Sequence, residues 1–120
     1  MDELFRSDRY YKVWQYTVSH RRLLLRSSRD NPPSTRIDVH FGGVTLMSLQ
    51  PYYDGLTIRR GTASESTEIA SRHGIEVNPR QLHVLGEGLT SYVVSGPVQW
   101  YEDDGGFDSP SWFGHMRGTP

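Results

Sequence analysis

The segment from residue 35 to residue 41 constrains the fold most strongly, because apolar and polar residues alternate along it. Ile37, Val39 and Phe41 take every second position. The positions between them hold Arg36, Asp38 and His40. Side chains alternate between the two faces of a β-strand, so the apolar set should face a core and the polar set should face solvent. The pattern predicts a strand with one face buried and the other face exposed to solvent.

Turn signals around this strand predict further antiparallel strands. Gly42 and Gly43 suit a tight turn, which predicts a hairpin between the first strand and residues 44–49. Asp54 and Gly55 form a second turn signal, after which residues 56–60 resume β character. The middle of the chain therefore favours hairpin-connected strands.

Earlier and later segments add to the β content. Residues 10–19 are rich in aromatic and β-branched side chains, and residues 23–25 are three consecutive leucines, typical of a strand covered on both faces. The proline-containing residues 30–34 predict a loop. Four short apolar segments separated by turn residues predict a C-terminal meander: residues 75–77, 81–85, 89–94 and 98–101.

One helix is predicted between these two groups of strands. Thr62 and Glu65 fit a capping box, Arg72 and His73 suit the last turn of a helix, and Gly74 is a natural stop. The fold class is therefore mainly β, an antiparallel sandwich or open barrel with one short helix at about residues 63–73. We expect one β-rich domain over residues 1–104 and a Gly/Ser/Pro-rich tail over residues 105–120 that docks through its aromatic residues.

Composition narrows the classes of function. Thirteen Lys and Arg residues against fourteen Asp and Glu residues give a net charge of −1, which disfavours nucleic acid. There is no apolar run of about 20 residues and no signal-peptide pattern at the N-terminus, so we expect a cytoplasmic protein with no membrane partner. The chain has no cysteine. Cysteine-ligated metals and thiol nucleophiles are thereby excluded, and no phosphate-binding loop, dinucleotide fingerprint or G-x-S-x-G motif is present.

Histidine and carboxylate residues offer one alternative site. Asp38 and His40 share a strand face, and His83 would join them only if its strand lay alongside. Together with Trp14 they define an alternative ligand-binding or enzymatic pocket at one end of the sheet. The competing interpretation places Asp38 and His40 in solvent beside Arg36. We therefore predict no bound metal and no cofactor.

Two oppositely charged segments define the candidate partner surfaces. The arginine-rich residues 20–29 offer phosphate contacts, but the leucine run favours a buried strand with arginines at its wet ends. An acidic and aromatic segment follows the last predicted strand. Its candidate partner-binding residues are Trp100, Tyr101, Glu102, Asp103, Asp104, Phe107 and Asp108. It lacks the residue order of a calcium loop, whereas aromatic contact area beside carboxylates suits a protein with a basic surface.

Three segments also carry a resemblance. YKVWQYTVSH at residues 11–20, LLLRS at 23–27 and IDVHFGGV at 37–44 resemble a group of short, uncharacterised bacterial proteins that begin with a similar strand pair. The resemblance implies no activity. The residues themselves favour a small non-enzymatic binding or protein-interaction module, and the alternative is the pocket at one end of the sheet.

Overall fold

A computed structural model describes residues 3–27, 35–105, 111 and 113. Within them lie eight strands, one α-helix and one 3-10 turn. In chain order these are β1 (Glu3–Thr17), β2 (Arg22–Ser27), β3 (Arg36–Phe41), β4 (Leu46–Ser48), β5 (Tyr52–Arg60), α1 (Ala63–His73), the 3-10 turn (Pro79–Gln81), β6 (Leu82–Leu85), β7 (Tyr92–Val94) and β8 (Val98–Asp103). The predicted loop at residues 30–34, Phe107, Asp108 and most of the predicted tail lie outside the described residues.

All eight strands belong to one antiparallel sheet, in the order β4-β7-β6-β5-β1-β2-β3-β8, and the sheet is not closed into a barrel. A very short connection shows that it curls. In a flat sheet β7 and β8 would lie six strand spacings apart, about 29 Å. Only residues 95–97 join them, and these span at most about 14 Å. The two ends of the sheet therefore approach each other, and Gly96 N donates to Gly42 O over 2.8 Å.

The curled sheet holds the main apolar core on its inner face. Side chains from six strands, together with Val44, meet there: Phe5, Tyr11, Leu23, Leu25, Val39, Phe41, Val44, Tyr53, Leu56, Ile58, Leu85 and Val93. Val39 and Phe41 are fully buried, so the apolar side of the predicted strand does face the core. Leu23, Leu24 and Leu25 are all fully buried, as expected for a strand covered on both faces.

The helix covers part of the outer face, which we define as the side of the sheet opposite this core. Ile69 of α1 packs with side chains of β6 and β7: Leu82, Val84, Tyr92 and Val94. The predicted capping box is present, because Thr62 Oγ1 accepts from Glu65 N and Glu65 Oε1 accepts from Thr62 N, each over 3.0 Å. Gly74 ends the helix at φ 67°. The mainly β fold with a single short helix is confirmed.

Two predicted pairings of strands are wrong. β3 pairs with β2 and β8, whereas β4 pairs with β7, so no hairpin forms across Gly42 and Gly43. The C-terminal strands do not form a simple meander, because β8 returns to β3 instead of pairing with β7. Both errors have one cause. The curl brings the ends of the sheet together, so a short connection crosses to the other edge instead of turning back on its own strand.

The predicted turn at Asp54 and Gly55 is also wrong. Both residues lie inside β5, and Gly55 has a φ of 85°. The register between β1 and β5 shifts between Ser7 and Tyr10, opposite this glycine. A left-handed glycine in a paired strand is typical of a β-bulge, which bends the strand without ending it. The same local signal therefore produced curvature rather than a reversal.

Candidate functional site

The predicted partner surface lies on β8, at one edge of the sheet, and its aromatic residues point in opposite directions. Trp100 extends over the core side, where its ring centroid lies 5.1 Å from that of Phe5. Tyr101 is the next residue in the strand and is paired with Asp38, so it lies on the outer face. Trp100 remains 46% exposed and Tyr101 39% exposed. The structure therefore presents aromatic area on both sides of one edge strand rather than in one patch.

Two carboxylates of this surface are ion-paired inside the chain. Glu102 Oε2 accepts from Thr35 Oγ1 over 2.6 Å and lies 3.3 Å from Arg9 Nη2. Asp103 Oδ1 accepts from Arg36 Nε over 2.6 Å. Burial alone would raise the pKa of Asp103, but the Arg36 guanidinium and the Gly105 N–H hold it below its usual value. Asp104 is exposed and the Glu102 side chain is about half exposed, so both contribute accessible negative charge to this surface.

The polar side of β3 is buried, which contradicts the prediction that it faces solvent. Arg26 on β2 donates to both carboxylate oxygens of Asp38, over 2.8 and 3.1 Å, and both side chains are almost completely buried. Trp14 lies over the Arg26 guanidinium at 5.0 Å. His40 stacks on Phe113, with ring centroids 4.7 Å apart. Aromatic residues distant in sequence thus cover the side of β3 that the local alternation predicts to be exposed to solvent.

The alternative pocket does not form as one site. Trp14 and Asp38 are linked through Arg26 on the outer face, and His40 lies on that face too. His83 instead packs against Phe41 on the core side, with ring centroids 5.8 Å apart. Burial chiefly lowers the pKa of both histidines. Since they occupy opposite faces, they cannot act together on one ligand. Residues 3–27, 35–105, 111 and 113 contain no group of three or more His, Asp or Glu side chains placed to bind a metal ion.

A polar cleft of about 400 Å³, which the sequence did not predict, lies at the β7–β8 connection. Its polar lining side chains are Arg60, Asn78, Arg80, Gln81, His83 and Ser95. His83 Nε2 donates to Gly96 O over 2.9 Å, whereas its Nδ1 is buried with no hydrogen-bond partner among the described residues. Arg60 and Arg80 belong to segments on either side of α1, so no local motif connects them.

The helix α1 is too short to span a membrane. α1 has 11 residues, about half of what a membrane-spanning helix needs, and no other helix in the described ranges is long and apolar enough to cross a membrane.

Comparison with known proteins does not place the chain in a family. The chain matches no protein-family model, and neither curated proteins nor solved structures give a significant match.

Proposed function

We propose that this protein is a small, non-enzymatic protein-interaction module that binds its partner through the edge strand β8. The observation that carries the proposal is Trp100, which is almost half exposed on the last strand of the sheet. Tryptophan is enriched among residues that dominate the binding energy of protein interfaces. An edge strand is also a common place for a second chain to add to a sheet.

Contacts on both faces hold β8 in place, which favours binding. Trp100 rests against Phe5 on the core side, and Arg36 holds the carboxylate of Asp103 on the outer face. On the core side Glu102 is fixed by Thr35 and Arg9. A contact surface that is already ordered loses little conformational entropy when a partner binds. The internal ion pairs therefore support the proposal by positioning the aromatic residues.

The exposed charge indicates the kind of partner. Asp104 is exposed and Glu102 is about half exposed, so the C-terminal end of β8 presents negative charge. Complementary charges accelerate association and disfavour partners of the same sign. We infer a partner with a basic surface.

Capture of partners from native lysate tests this proposal when two variants are compared. Trp100→Ser should lose the captured protein, and Tyr52→Ser should keep it, since Tyr52 is a 53% exposed aromatic on another strand. Melting temperatures of both variants show whether the fold survives. Asp104→Lys should slow association and reduce its salt dependence. Equal capture by the two serine variants would contradict the proposal.

A further inference from the structure

We propose that the partner binds as an extended segment, which adds a further strand to the edge of β8 that faces away from β3. The inference rests on the function proposed for β8, and it names how this surface is used and which residue pattern it accepts. β8 is the last strand of the sheet, and no described strand lies on its other side. Residues 99–102 are all exposed, although their side chains alternate between the two faces. Exposure on both faces leaves room for a strand beside β8 in the part of the chain that the structure describes.

The direction of the backbone groups in β8 follows from the pairing of its neighbour β3. In an antiparallel sheet, successive residues direct their N–H and C=O groups to opposite neighbouring strands. Ile37 N donates to Ser27 Oγ over 2.7 Å, so the Ile37 backbone faces β2. The backbone of Asp38, the next residue, therefore faces β8, where its pairing partner is Tyr101. Tyr101 accordingly directs its own N–H and C=O groups to β3.

Trp100 and Glu102 flank Tyr101 in the strand, so their N–H and C=O groups point away from β3. No described residue forms a backbone hydrogen bond with these outward groups. A row of such groups along an exposed edge is a template for another strand. A partner segment would gain main-chain hydrogen bonds at Trp100 and Glu102, together with side-chain contacts on both faces.

The opposite edge of the sheet is less suited to strand addition. β4 forms that edge and has only three residues, whereas β8 has six. β3 and β8 pair without a shift in register, and β8 contains neither lysine nor proline. Short strands, bulges, lysine and proline are the features by which natural sheets protect an edge. β4 is protected by its length, and β8 has none of these four features.

The carboxylates at the end of β8 disfavour a second copy of this chain as the occupant. Residues 98–104 contain three carboxylates and no basic residue. Pairing this segment with itself would bring like charges together across the strands, which destabilises a strand pair. The same charges favour a segment that carries basic side chains.

The alternation of side chains determines the residue pattern of the partner segment. Trp100 and Glu102 share the core side, so their neighbours on an added strand would lie two residues apart. The neighbour of Trp100 is favoured as an apolar side chain, and the neighbour of Glu102 as a basic one. The occupant is therefore an extended segment with a basic residue two positions from an apolar residue.

Amide hydrogen exchange of the full chain, followed by NMR, tests whether this edge is open. After correction for intrinsic rates, the amides of Trp100 and Glu102 should exchange about tenfold or more faster than the Tyr101 amide, which is hydrogen-bonded to β3. Equal protection of the three amides would overturn the proposal, because the edge would then already be covered.

A synthetic peptide as long as β8, in which threonine alternates with leucine and arginine, is the probe for binding. It should bind saturably and slow the exchange of the Trp100 and Glu102 amides. A matched peptide with glutamate in place of arginine should bind about tenfold more weakly, since a like charge then faces Glu102. Absence of saturable binding, or equal affinity of the two peptides, would overturn the proposal.

Two variants at one position separate strand pairing from contact through side chains alone. Glu102→Pro and Glu102→Ala both lose the carboxylate, but only proline also removes the outward N–H. Proline is tolerated where the N–H of an edge strand faces away from the sheet, so the two melting temperatures should be similar. Glu102→Pro should bind the arginine peptide about tenfold more weakly than Glu102→Ala. Equal affinities would contradict strand addition, and the two peptides on the native chain remain decisive if Glu102→Pro does not fold.

The proposed function fails by a different result. If Glu102→Pro and Glu102→Ala capture the lysate partner equally while Trp100→Ser loses it, strand addition is wrong and the β8 surface still binds. If Trp100→Ser keeps the partner, the proposed function is wrong, and the strand addition that rests on it falls as well.

Discussion

Two sets of ion pairs in this protein differ in how far they are exposed to solvent. In the outer-face cluster, Arg26 faces Asp38 and Arg36 faces Asp103. In the second set, Arg59 faces Glu65 across a pair in which the two side chains are 21% and 23% exposed. Removing an ion from water is costly unless an opposite charge compensates it. The comparison teaches that the burial of an ion pair, and not its hydrogen bonds alone, sets how strongly the fold depends on it.

The largest expected effect is in the outer-face cluster. Asp38→Asn removes the buried negative charge that faces the Arg26 guanidinium, and should lower the free energy of unfolding by about 3–5 kcal/mol. That is a large part of the stability of a small domain. Urea unfolding followed by circular dichroism measures it. In the double variant Arg26→Met with Asp38→Leu both charges are gone, so stability should be closer to native. A loss below about 1 kcal/mol in Asp38→Asn would break the comparison.

A smaller effect is expected where Phe113 covers the same face. His40→Ser removes a buried ring that stacks on Phe113, and should cost about 1–3 kcal/mol, since the aromatic contact and apolar burial are both lost. Thermal unfolding at pH 8, where the native histidine is neutral, isolates this packing contribution. An unchanged melting temperature would place His40 in solvent, as the sequence alone predicted.

The partly exposed pair sharpens the comparison, because Arg59 Nη2 lies 2.8 Å from Glu65 Oε2, the same distance that separates Arg26 Nε from Asp38 Oδ1. The Arg59 hydrogen bond chiefly lowers the pKa of Glu65 from 4.5 to about 2, with help from the Thr62 N–H. A lowered carboxyl pKa stabilises the fold above the unfolded value, and that contribution is lost as pH falls from about 4.5 to about 2. Because the pair is partly exposed, Glu65→Gln should cost only about 1 kcal/mol at pH 7.

The pH profile of unfolding checks this assignment. The difference between native protein and Glu65→Gln should shrink across that acid range. A difference that stays constant from pH 5 to pH 2 would show that Glu65 acts through helix capping alone.

Local signals account for the parts of the fold that the sequence predicted. The capping box at Thr62 and Glu65 and the apolar alternation of Val39 and Phe41 act within a few residues, so they are readable without tertiary information. The pairing of β3 with β8 was not readable, because it depends on the curl of the whole sheet.

The candidate sites were predicted less well for a related reason. Burial of Asp38 and His40 requires Trp14 and Phe113, which come from distant segments. The sequence does not show which arginines the fold places beside a carboxylate. No local motif marks the cleft at the β7–β8 connection, because its lining residues come from segments on either side of α1.

The smallest effect on stability is expected in the cleft. Arg80→Gln removes an exposed side chain that forms no ion pair with a described residue, so the free energy of unfolding should stay within about 0.5 kcal/mol of native. Urea unfolding in a buffer without multivalent anions measures this. A loss of 2 kcal/mol or more would give the cleft a structural role.

Urea unfolding of Asp38→Asn and Glu65→Gln at pH 7 tests the contrast between the two pairs most directly. Each variant removes one carboxylate that lies 2.8 Å from an arginine nitrogen. Asp38→Asn should lose about 3–5 kcal/mol and Glu65→Gln about 1 kcal/mol, because only the Arg26–Asp38 pair is shielded from water. Equal losses of stability in the two variants would contradict the account.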